Sequence, residues 1–300
     1  MTAPLIVLGA LSQSLELSLR QCAEYEVFSP KRRMFSNGEI EFSCDKDLKK
    51  RSIILIHTVA THDLFVECLL LIELLKKRGA LRVSCIFPYL FYGRQAFQSL
   101  EKSSGLSLIV NALGGAGCDH ISVIDTHEGG VQKNGRFIYN VLPASLWALD
   151  SQHHFREEKK TVIVSPDKGG AGRAEALGKI LDYPTLCLEK TRDKGKIKHT
   201  SAKDVKGKVC LLVDDMIDSG ATLKSAARFL SEKGAAAVHG YVTHGLFSKD
   251  IKSAKELNLS SLVLSNSLMH PLIEMCRVLD LTPLIKDQIT LLLKERASEL

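Results

Sequence analysis

The sequence has no pair of cysteines at the spacing of a metal site or of a dithiol redox motif. Its eight cysteines lie far apart, most of them inside apolar runs, and we interpret them as reduced residues of the core. A stretch long enough to span a bilayer is also lacking, and the short apolar run from Pro4 to Leu11 has no basic region before it. These absences predict a cytoplasmic protein with no membrane partner.

Long runs of a single charge are absent as well. The 40 Lys and Arg residues are interspersed with 34 Asp and Glu residues, and the formal net charge of +6 is modest for 300 residues. This pattern does not predict a nucleic-acid partner, although a small polyanion would suit the excess positive charge. With 45% hydrophobic residues the chain is expected to be globular, and its length favours two domains.

Short apolar runs rich in β-branched residues alternate along the chain with amphipathic stretches of helical period. Apolar strands that alternate with helices predict an α/β fold, with mainly parallel sheets flanked by helices. The predicted strands are 5–8, 53–56, 83–87, 121–124, 162–164, 209–213 and 238–242, and the predicted helices include 63–77, 106–113, 173–180 and 223–233.

The two halves of the sequence look related. A strand that begins near Arg51, a helix, a Lys-Arg-Gly-Ala turn and a second strand recur from Lys208 onward, with Glu-Lys-Gly-Ala as the turn. We therefore predict a duplicated domain, and we list its parts with the one segment expected to be irregular. They are an N-terminal domain (1–146), a C-terminal domain (147–283), a last helix that packs on the first domain (284–300) and a mobile basic loop (189–206).

The strongest functional signal follows the predicted strand 209–213. Two adjacent carboxylates precede a short loop of small residues, which closes on a threonine at the start of a helix. In open α/β sheets ligands bind at the carboxyl ends of strands, and backbone N–H groups at a helix N-terminus favour a phosphate, while carboxylates accept hydrogen bonds from sugar hydroxyls. The alternative is that the loop only caps the helix. The residues are Asp214, Asp215, Asp218, Ser219, Gly220, Ala221 and Thr222.

This loop resembles the phosphoribosyl-diphosphate binding motif shared by phosphoribosyltransferases and phosphoribosyl-diphosphate synthetases. Five further segments, in the right order over nearly the whole chain, resemble the ribose-phosphate diphosphokinase (phosphoribosyl-diphosphate synthetase) family. Taken singly, most of them have an ordinary explanation, such as an Asn-Gly turn or a structural histidine at a strand end. The segments are Phe35-Ser36-Asn37-Gly38-Glu39, Pro88 to Arg94-Gln95, Asp125-Thr126-His127, Ser165-Pro166-Asp167-Lys168-Gly169-Gly170 and Lys190-Thr191-Arg192.

The resemblance implies two domains of the phosphoribosyltransferase type with the active site between them. It implies transfer of the diphosphoryl group of Mg-ATP to the C1 hydroxyl of ribose 5-phosphate, with phosphoribosyl diphosphate and AMP as products. A homo-oligomer built from dimers, up to a hexamer, is also implied. By resemblance, Lys190, Arg192 and His127 are catalytic, His127 and Asp167 hold Mg²⁺, Phe35, Asn37, Glu39, Arg94, Gln95, Gly169 and Gly170 bind the nucleotide, and residues 214–215 and 218–222 bind the ribose phosphate.

Several positions depart from the family pattern. Ala96 follows Gln95 where the family has Asp or Asn, residues 128–133 differ in a region tied to subunit contacts and control, and Ala221 replaces a glycine of the phosphate loop. These departures keep two alternatives open. One is a phosphoribosyltransferase that consumes phosphoribosyl diphosphate, and the other is a non-catalytic paralogue that regulates an active synthetase.

Overall fold

The structure is a computed structural model that describes residues 5–95, 103–127, 131–133, 136–154, 160–193, 196–200 and 204–298. The chain forms two compact units. Residues 1–141 and 280–300 form the first, which we call the N-terminal unit, and residues 142–279 form the second, the C-terminal unit. No helix among the described residues is long and apolar enough to cross a membrane.

The N-terminal unit has a sheet of seven strands in the order β2-β1-β5-β6-β7-β9-β8. All neighbours are parallel except the edge pair β8 and β9. The segment between β2 and β5 forms a separate antiparallel hairpin, β3-β4. The strands are β1 (Leu5–Leu8), β2 (Glu26–Phe28), β3 (Lys31–Met34), β4 (Ile40–Ser43), β5 (Ser52–Ile56), β6 (Arg82–Phe87), β7 (His120–Ile124), β8 (Val131–Lys133) and β9 (Arg136–Val141).

The described residues of the N-terminal unit form four α-helices, which are α1 (Gln13–Arg20), α2 (His62–Lys77), α3 (Gly105–Ala116) and α7 (Thr282–Ser298). A pair of buried side chains from α2, Leu71 and Leu75, joins the core formed by the central strands. The last helix returns to the start of the chain, where Lys286 Nζ lies 2.7 Å from Glu24 Oε1. Burial of the apolar strands on both faces explains their continuous apolar runs.

The C-terminal unit has a sheet of six strands, all parallel, in the order β11-β10-β14-β15-β16-β17. The segment between β11 and β14 contains a second antiparallel hairpin, β12-β13. The elements are α4 (Ala144–His154), β10 (Thr161–Ser165), α5 (Ala171–Leu181), β11 (Thr185–Cys187), β12 (Glu189–Asp193), β13 (Lys196–Thr200), β14 (Val209–Ile217), α6 (Ala221–Glu232), β15 (Ala237–Gly245), β16 (Ser261–Ser265) and β17 (Cys276–Leu279).

The two sheets have the same strand order once the edge strand β8 and the two hairpins are set aside. In each unit the second strand lies at one edge, the first strand lies inside it, and the remaining four follow in chain order. Each hairpin is inserted after the second strand of its unit. The predicted α/β fold with parallel sheets is confirmed, and this shared order is what duplication of one domain would produce.

Two local predictions were wrong. The basic segment predicted as an irregular loop forms the hairpin β12-β13, with Lys190 opposite His199 in register. Polar composition is typical of a loop, but a hairpin outside the main sheet does not need an apolar face. The strand predicted to end at Val213 continues to Ile217, so the adjacent carboxylates Asp214 and Asp215 lie within β14. Pairing with β15 through Ile217 extends this strand beyond its apolar run.

Candidate functional site

The two carboxylates of β14 lie near a buried guanidinium. Arg173, in the first turn of α5, lies with its Nη2 atom 3.8 Å from Oδ2 of Asp215, and both side chains are buried. The backbone N–H of Asp215 donates to Oδ1 of Asp214 over 3.0 Å. Burial and the neighbouring charge of Asp215 raise the pKa of Asp214 well above its usual range, while Arg173 acts in the opposite direction.

The glycine turn that follows β10 is held by side chains of its own segment. Oδ1 of Asp167 accepts hydrogen bonds from the backbone N–H groups of Gly169 (3.1 Å) and Gly170 (3.3 Å). The hydroxyl of Ser165 donates to the backbone carbonyl of Asp167 over 2.7 Å. A Cβ atom at Gly170 would lie 2.6 Å from the Ser165 oxygen. Glycine is therefore needed at this position because the backbone and the serine approach so closely.

The predicted phosphate loop leads directly into α6. Gly220 is the N-terminal capping residue, with a φ of 73°, and as a glycine it has no side chain with which to cap the helix. Ala221 is the first residue of α6, so the left-handed conformation falls on Gly220 and the replacement of glycine by Ala221 causes no backbone strain. The N-terminus of α6 leaves backbone N–H groups that suit an anion.

The hairpin β12-β13 contacts α6 close to this loop. His199, on β13, is buried, and its Nε2 atom lies 2.9 Å from the hydroxyl oxygen of Ser225. Ser225 in turn donates to the backbone carbonyl of Thr222 over 3.0 Å. Of Lys190 and Arg192 the structure describes the backbone, which places both on β12. The hairpin that carries the two predicted catalytic cations is thus connected to the end of the phosphate loop.

Two predicted segments of the N-terminal unit lie side by side. A short 3-10 helix, Gly93–Gln95, follows β6, and a Cβ atom at Gly93 would lie 3.7 Å from the backbone nitrogen of His127. His127 follows the end of β7, and its side chain is exposed, as is that of Arg94. Within this unit the structure brings Gly93, the residue before Arg94, next to the backbone of His127. Of Gln95 it describes the backbone alone.

The turn between β3 and β4 carries the other predicted nucleotide residues. The backbone N–H of Phe35 donates to the carbonyl of Glu39 over 2.8 Å, and Oδ1 of Asn37 accepts from the N–H of Glu39 over 3.2 Å. The Asn-Gly turn is therefore real, with Gly38 at a φ of 89°. Phe35 is exposed, and the guanidinium carbon of Arg33 lies 4.6 Å from its ring centre. An exposed aromatic ring beside a cation presents a surface on which a planar base can stack.

Comparison with known families and proteins agrees with this arrangement. Residues 5–117 match the N-terminal domain of ribose phosphate pyrophosphokinase, and residues 146–263 match the phosphoribosyl transferase domain. A ribose-phosphate pyrophosphokinase of Maricaulis maris is 31% identical over 88% of this chain and 87% of its own length. The chain belongs to the ribose-phosphate pyrophosphokinase family. Pyrophosphokinase and diphosphokinase are two names for the same activity, so the resemblance read from the motifs is confirmed.

Two further relatives extend the comparison. Ribose-phosphate pyrophosphokinase 2 of Schizosaccharomyces pombe is 33% identical over 79% of this chain and 76% of its own length. The crystal structure of phosphoribosylpyrophosphate synthetase from Mycobacterium smegmatis superposes with a TM-score of 0.81 at 26% identity, and the match covers 97% of this chain and 99% of that one. The fold of this ribose-phosphate pyrophosphokinase family member is thus similar to a solved synthetase along nearly its full length.

Sequence reasoning missed two residues of the site. Arg173 lies three positions after the quoted segment that ends at Gly170, and its pairing with Asp215 could not be inferred because the two lie 42 positions apart in the chain. His199 looked like one more polar residue of a basic segment. The β-branched Ile197, two residues before His199, was the available signal for a strand in this segment. The divergent residues 96–100 and 128–130 lie outside the described residues.

Proposed function

We propose that this chain is a ribose-phosphate diphosphokinase. It transfers the diphosphoryl group of ATP to the C1 hydroxyl of ribose 5-phosphate and releases AMP and phosphoribosyl diphosphate. The observation that supports this most is the conjunction, in the C-terminal unit, of three features of the family. These are the carboxylate pair of β14, the phosphate loop that opens α6 and the glycine turn after β10.

Ribose 5-phosphate is assigned to β14 and to the loop that follows it. Asp214 and Asp215 are assigned the hydrogen bonds from the ribose hydroxyls, because both lie in the C-terminal half of a parallel strand, toward the edge of the sheet where ligands usually bind. The 5-phosphate is assigned to residues 218–222, where Gly220 lets the backbone turn and the N-terminus of α6 supplies N–H groups and a favourable dipole.

ATP is assigned to three parts of the chain. Phe35, Asn37 and Glu39 of the β3-β4 turn and Arg94 and Gln95 take the nucleotide, while Gly169 and Gly170 let the backbone approach its phosphates. An arginine guanidinium donates in a planar fork that fits phosphate oxygens. The exposed side chains of Phe35 and Arg94 are consistent with this role, because both are accessible to a ligand.

Mg²⁺ is assigned to His127 and Asp167. Among the described residues no group of three or more His, Cys, Asp or Glu side chains is arranged to hold a metal ion. This fits Mg²⁺, which keeps several waters and binds through one or two protein ligands plus substrate phosphates. When bound with ATP, the ion supplies charge neutralisation on the phosphates. Asp167 already orients its carboxylate by accepting two backbone hydrogen bonds.

The reaction is an in-line displacement at the β-phosphorus. The C1 oxygen of ribose 5-phosphate forms a bond to this phosphorus, the bond from phosphorus to the bridging oxygen of AMP breaks, and the hydroxyl proton is released to solvent. Phosphoryl transfer is mostly positioning and charge stabilisation. Lys190 and Arg192 of β12 are assigned the stabilisation of charge on the transferring group. No covalent enzyme intermediate is required.

The test is an assay of AMP release from ATP, Mg²⁺ and ribose 5-phosphate. We expect turnover by the wild type, a loss of at least about a hundredfold in kcat for Lys190→Ala, and a rise of about tenfold in the KM for ribose 5-phosphate for Asp218→Ala. Lys179→Ala changes an exposed lysine of α5 and is the matched control, with wild-type kinetics expected. Wild-type rates in both site variants would refute the residue assignments.

The same experiment separates the alternatives. A wild type that releases no AMP but liberates diphosphate from phosphoribosyl diphosphate when a base is added would be a phosphoribosyltransferase. A wild type with neither activity that changes the rate of an active synthetase would be a regulatory paralogue. We further propose that the protein is cytoplasmic and that it forms a homo-oligomer built from dimers. Light scattering of the purified protein measures the mass of the oligomer.

A further inference from the structure

The hairpin β12-β13 is connected to the phosphate loop by a short chain of hydrogen bonds. His199 Nε2 lies 2.9 Å from Ser225 Oγ, and Ser225 Oγ donates to the backbone carbonyl of Thr222 over 3.0 Å. A hydroxyl has a single proton, and here that proton is directed to the carbonyl. The serine oxygen therefore accepts from His199, which fixes the proton of this imidazole on Nε2.

His199 is also placed opposite the residue that matters most for the proposed chemistry. In the register of the hairpin, His199 pairs with Lys190. The imidazole is buried, and it lies 6.3 Å, centre to centre, from the ring of Phe229, one helical turn beyond Ser225. One side chain of the hairpin thus contacts two residues on the same face of α6. This contact limits where the backbone of Lys190 can lie relative to Thr222.

We infer that His199 is a positioning residue, which holds the β12-β13 hairpin against α6 so that the cations of β12 stand in a fixed place relative to the phosphate loop. This inference rests on the proposed function and adds a residue outside the segments quoted above for the resemblance. His199 does not touch the reacting atoms. It acts through Ser225 on one side and through the backbone of the hairpin on the other.

The variants that test this inference separate the hydrogen bond from the bulk of the ring. His199→Phe keeps a ring beside Phe229 but removes the donor, and His199→Gln keeps a donor at a similar reach. Ser225→Ala removes the acceptor. Ser231→Ala is the matched control because Ser231 also donates to a backbone carbonyl of α6, that of Ala227, over 3.0 Å.

In the AMP-release assay, we expect His199→Phe and Ser225→Ala each to lower kcat about tenfold, because a small misplacement of a catalytic group slows phosphoryl transfer. The KM values for both substrates should stay within about twofold, because the phosphate loop and the nucleotide residues are unchanged. The double variant should be no slower than the slower single variant, since both break one connection. His199→Gln and Ser231→Ala should retain kcat within about threefold.

Hydrogen exchange provides a readout that does not depend on turnover. The backbone N–H groups of residues 189–193 and 196–200 should exchange faster in His199→Phe and Ser225→Ala, and as in the wild type in His199→Gln and Ser231→Ala. Wild-type exchange and wild-type kcat in His199→Phe would overturn the inference, and so would equal losses in His199→Phe and His199→Gln. An absence of AMP release by the wild type would contradict the proposed function instead, while the exchange data would still decide whether His199 holds the hairpin.

Discussion

The guanidinium of Arg173 lies 3.8 Å from the carboxylate of Asp215, and both side chains are almost completely removed from solvent. A cation in the first turn of a helix is unfavourable for the helix dipole. The negative charge of Asp215 on β14 compensates this unfavourable interaction between Arg173 and the dipole of α5. One ion pair therefore connects the first turn of α5 to β14.

Removal of Arg173 should destabilise the C-terminal unit. Breaking a buried pair leaves an uncompensated charge, so we expect Arg173→Met to lower the free energy of unfolding by about 3 kcal/mol or more. The double variant Arg173→Met/Asp215→Asn should recover much of this loss. Chemical denaturation measures both values. Arg228→Met, which breaks an exposed pair with Glu232, is the control and should change stability by less than about 1 kcal/mol.

Gly170 should not tolerate a side chain. A Cβ atom there would lie 2.6 Å from Ser165 Oγ, whereas one at Gly172 would meet nothing within 4 Å. We expect Gly170→Ala to raise the KM for ATP about tenfold by displacing the turn at Asp167, and Gly172→Ala to leave it unchanged. Steady-state kinetics at varied ATP tests this. The interpretation fails if the two variants behave alike.

Substitutions of Gly220 and Ala221, at the start of α6, should have unequal effects on stability and on activity. Gly220 has a φ of 73°, and a Cβ atom there would lie 2.6 Å from a methyl carbon of Leu257. Gly220→Ala should therefore lower the thermal midpoint and weaken binding of ribose 5-phosphate at least about tenfold. Ala221→Gly restores the residue usual in the family, yet we expect no gain in activity and a loss of about 0.5–1 kcal/mol in stability. Calorimetry measures the stability of each variant and its binding of ribose 5-phosphate, and the AMP-release assay measures its activity.

Stability should fall as the pH is lowered from about 6.5 to about 4. Burial lowers the pKa of His120 and of His239 from 6.5 to about 4, and burial also lowers the pKa of His57. In this window the unfolded chain binds protons that the folded chain does not, so the unfolded state is favoured as the pH decreases. We expect a loss on the order of 1 kcal/mol at pH 5 for each of His120 and His239.

Urea denaturation at pH 7 and at pH 5 measures this loss. His120→Gln is the informative variant, because Gln does not titrate and still offers an amide to Ser122, which lies 2.8 Å from His120 Nε2. Its stability should depend less on pH than that of the wild type. An equal dependence in both proteins would assign the effect to other groups.

The sequence predicted the parallel sheets well because their strands are continuous apolar runs. The runs 5–8, 53–56 and 121–124 agree with the observed strands within one residue at each end. The extension of β14 through Asp214 and Asp215 was missed, since two carboxylates do not resemble a strand and only pairing with β15 makes them part of one. Local composition carries no information about such a partner.

The candidate site could be predicted only in part for the same reason. Gly169, Gly170 and the loop 218–222 stand in contiguous motifs, so the residues could be read directly. Arg173 near Asp215 and His199 near Ser225 are contacts between elements distant in the chain, and they depend on tertiary packing. The effect of Ala221 on backbone strain also depends on the structure. The positive φ angle of 73° falls on Gly220, so the alanine at position 221 is not strained.

The two hairpins leave their sheets at the same point of a repeated chain path, after the second strand of each unit. A duplicated gene would inherit one insertion point twice, and each copy could then change its inserted arm without disturbing either core. One arm now carries Phe35 and Asn37, and the other carries Lys190 and Arg192. The proposed nucleotide recognition and the proposed catalysis therefore lie on separate arms, and grafting either hairpin from a relative should alter one property while preserving the other.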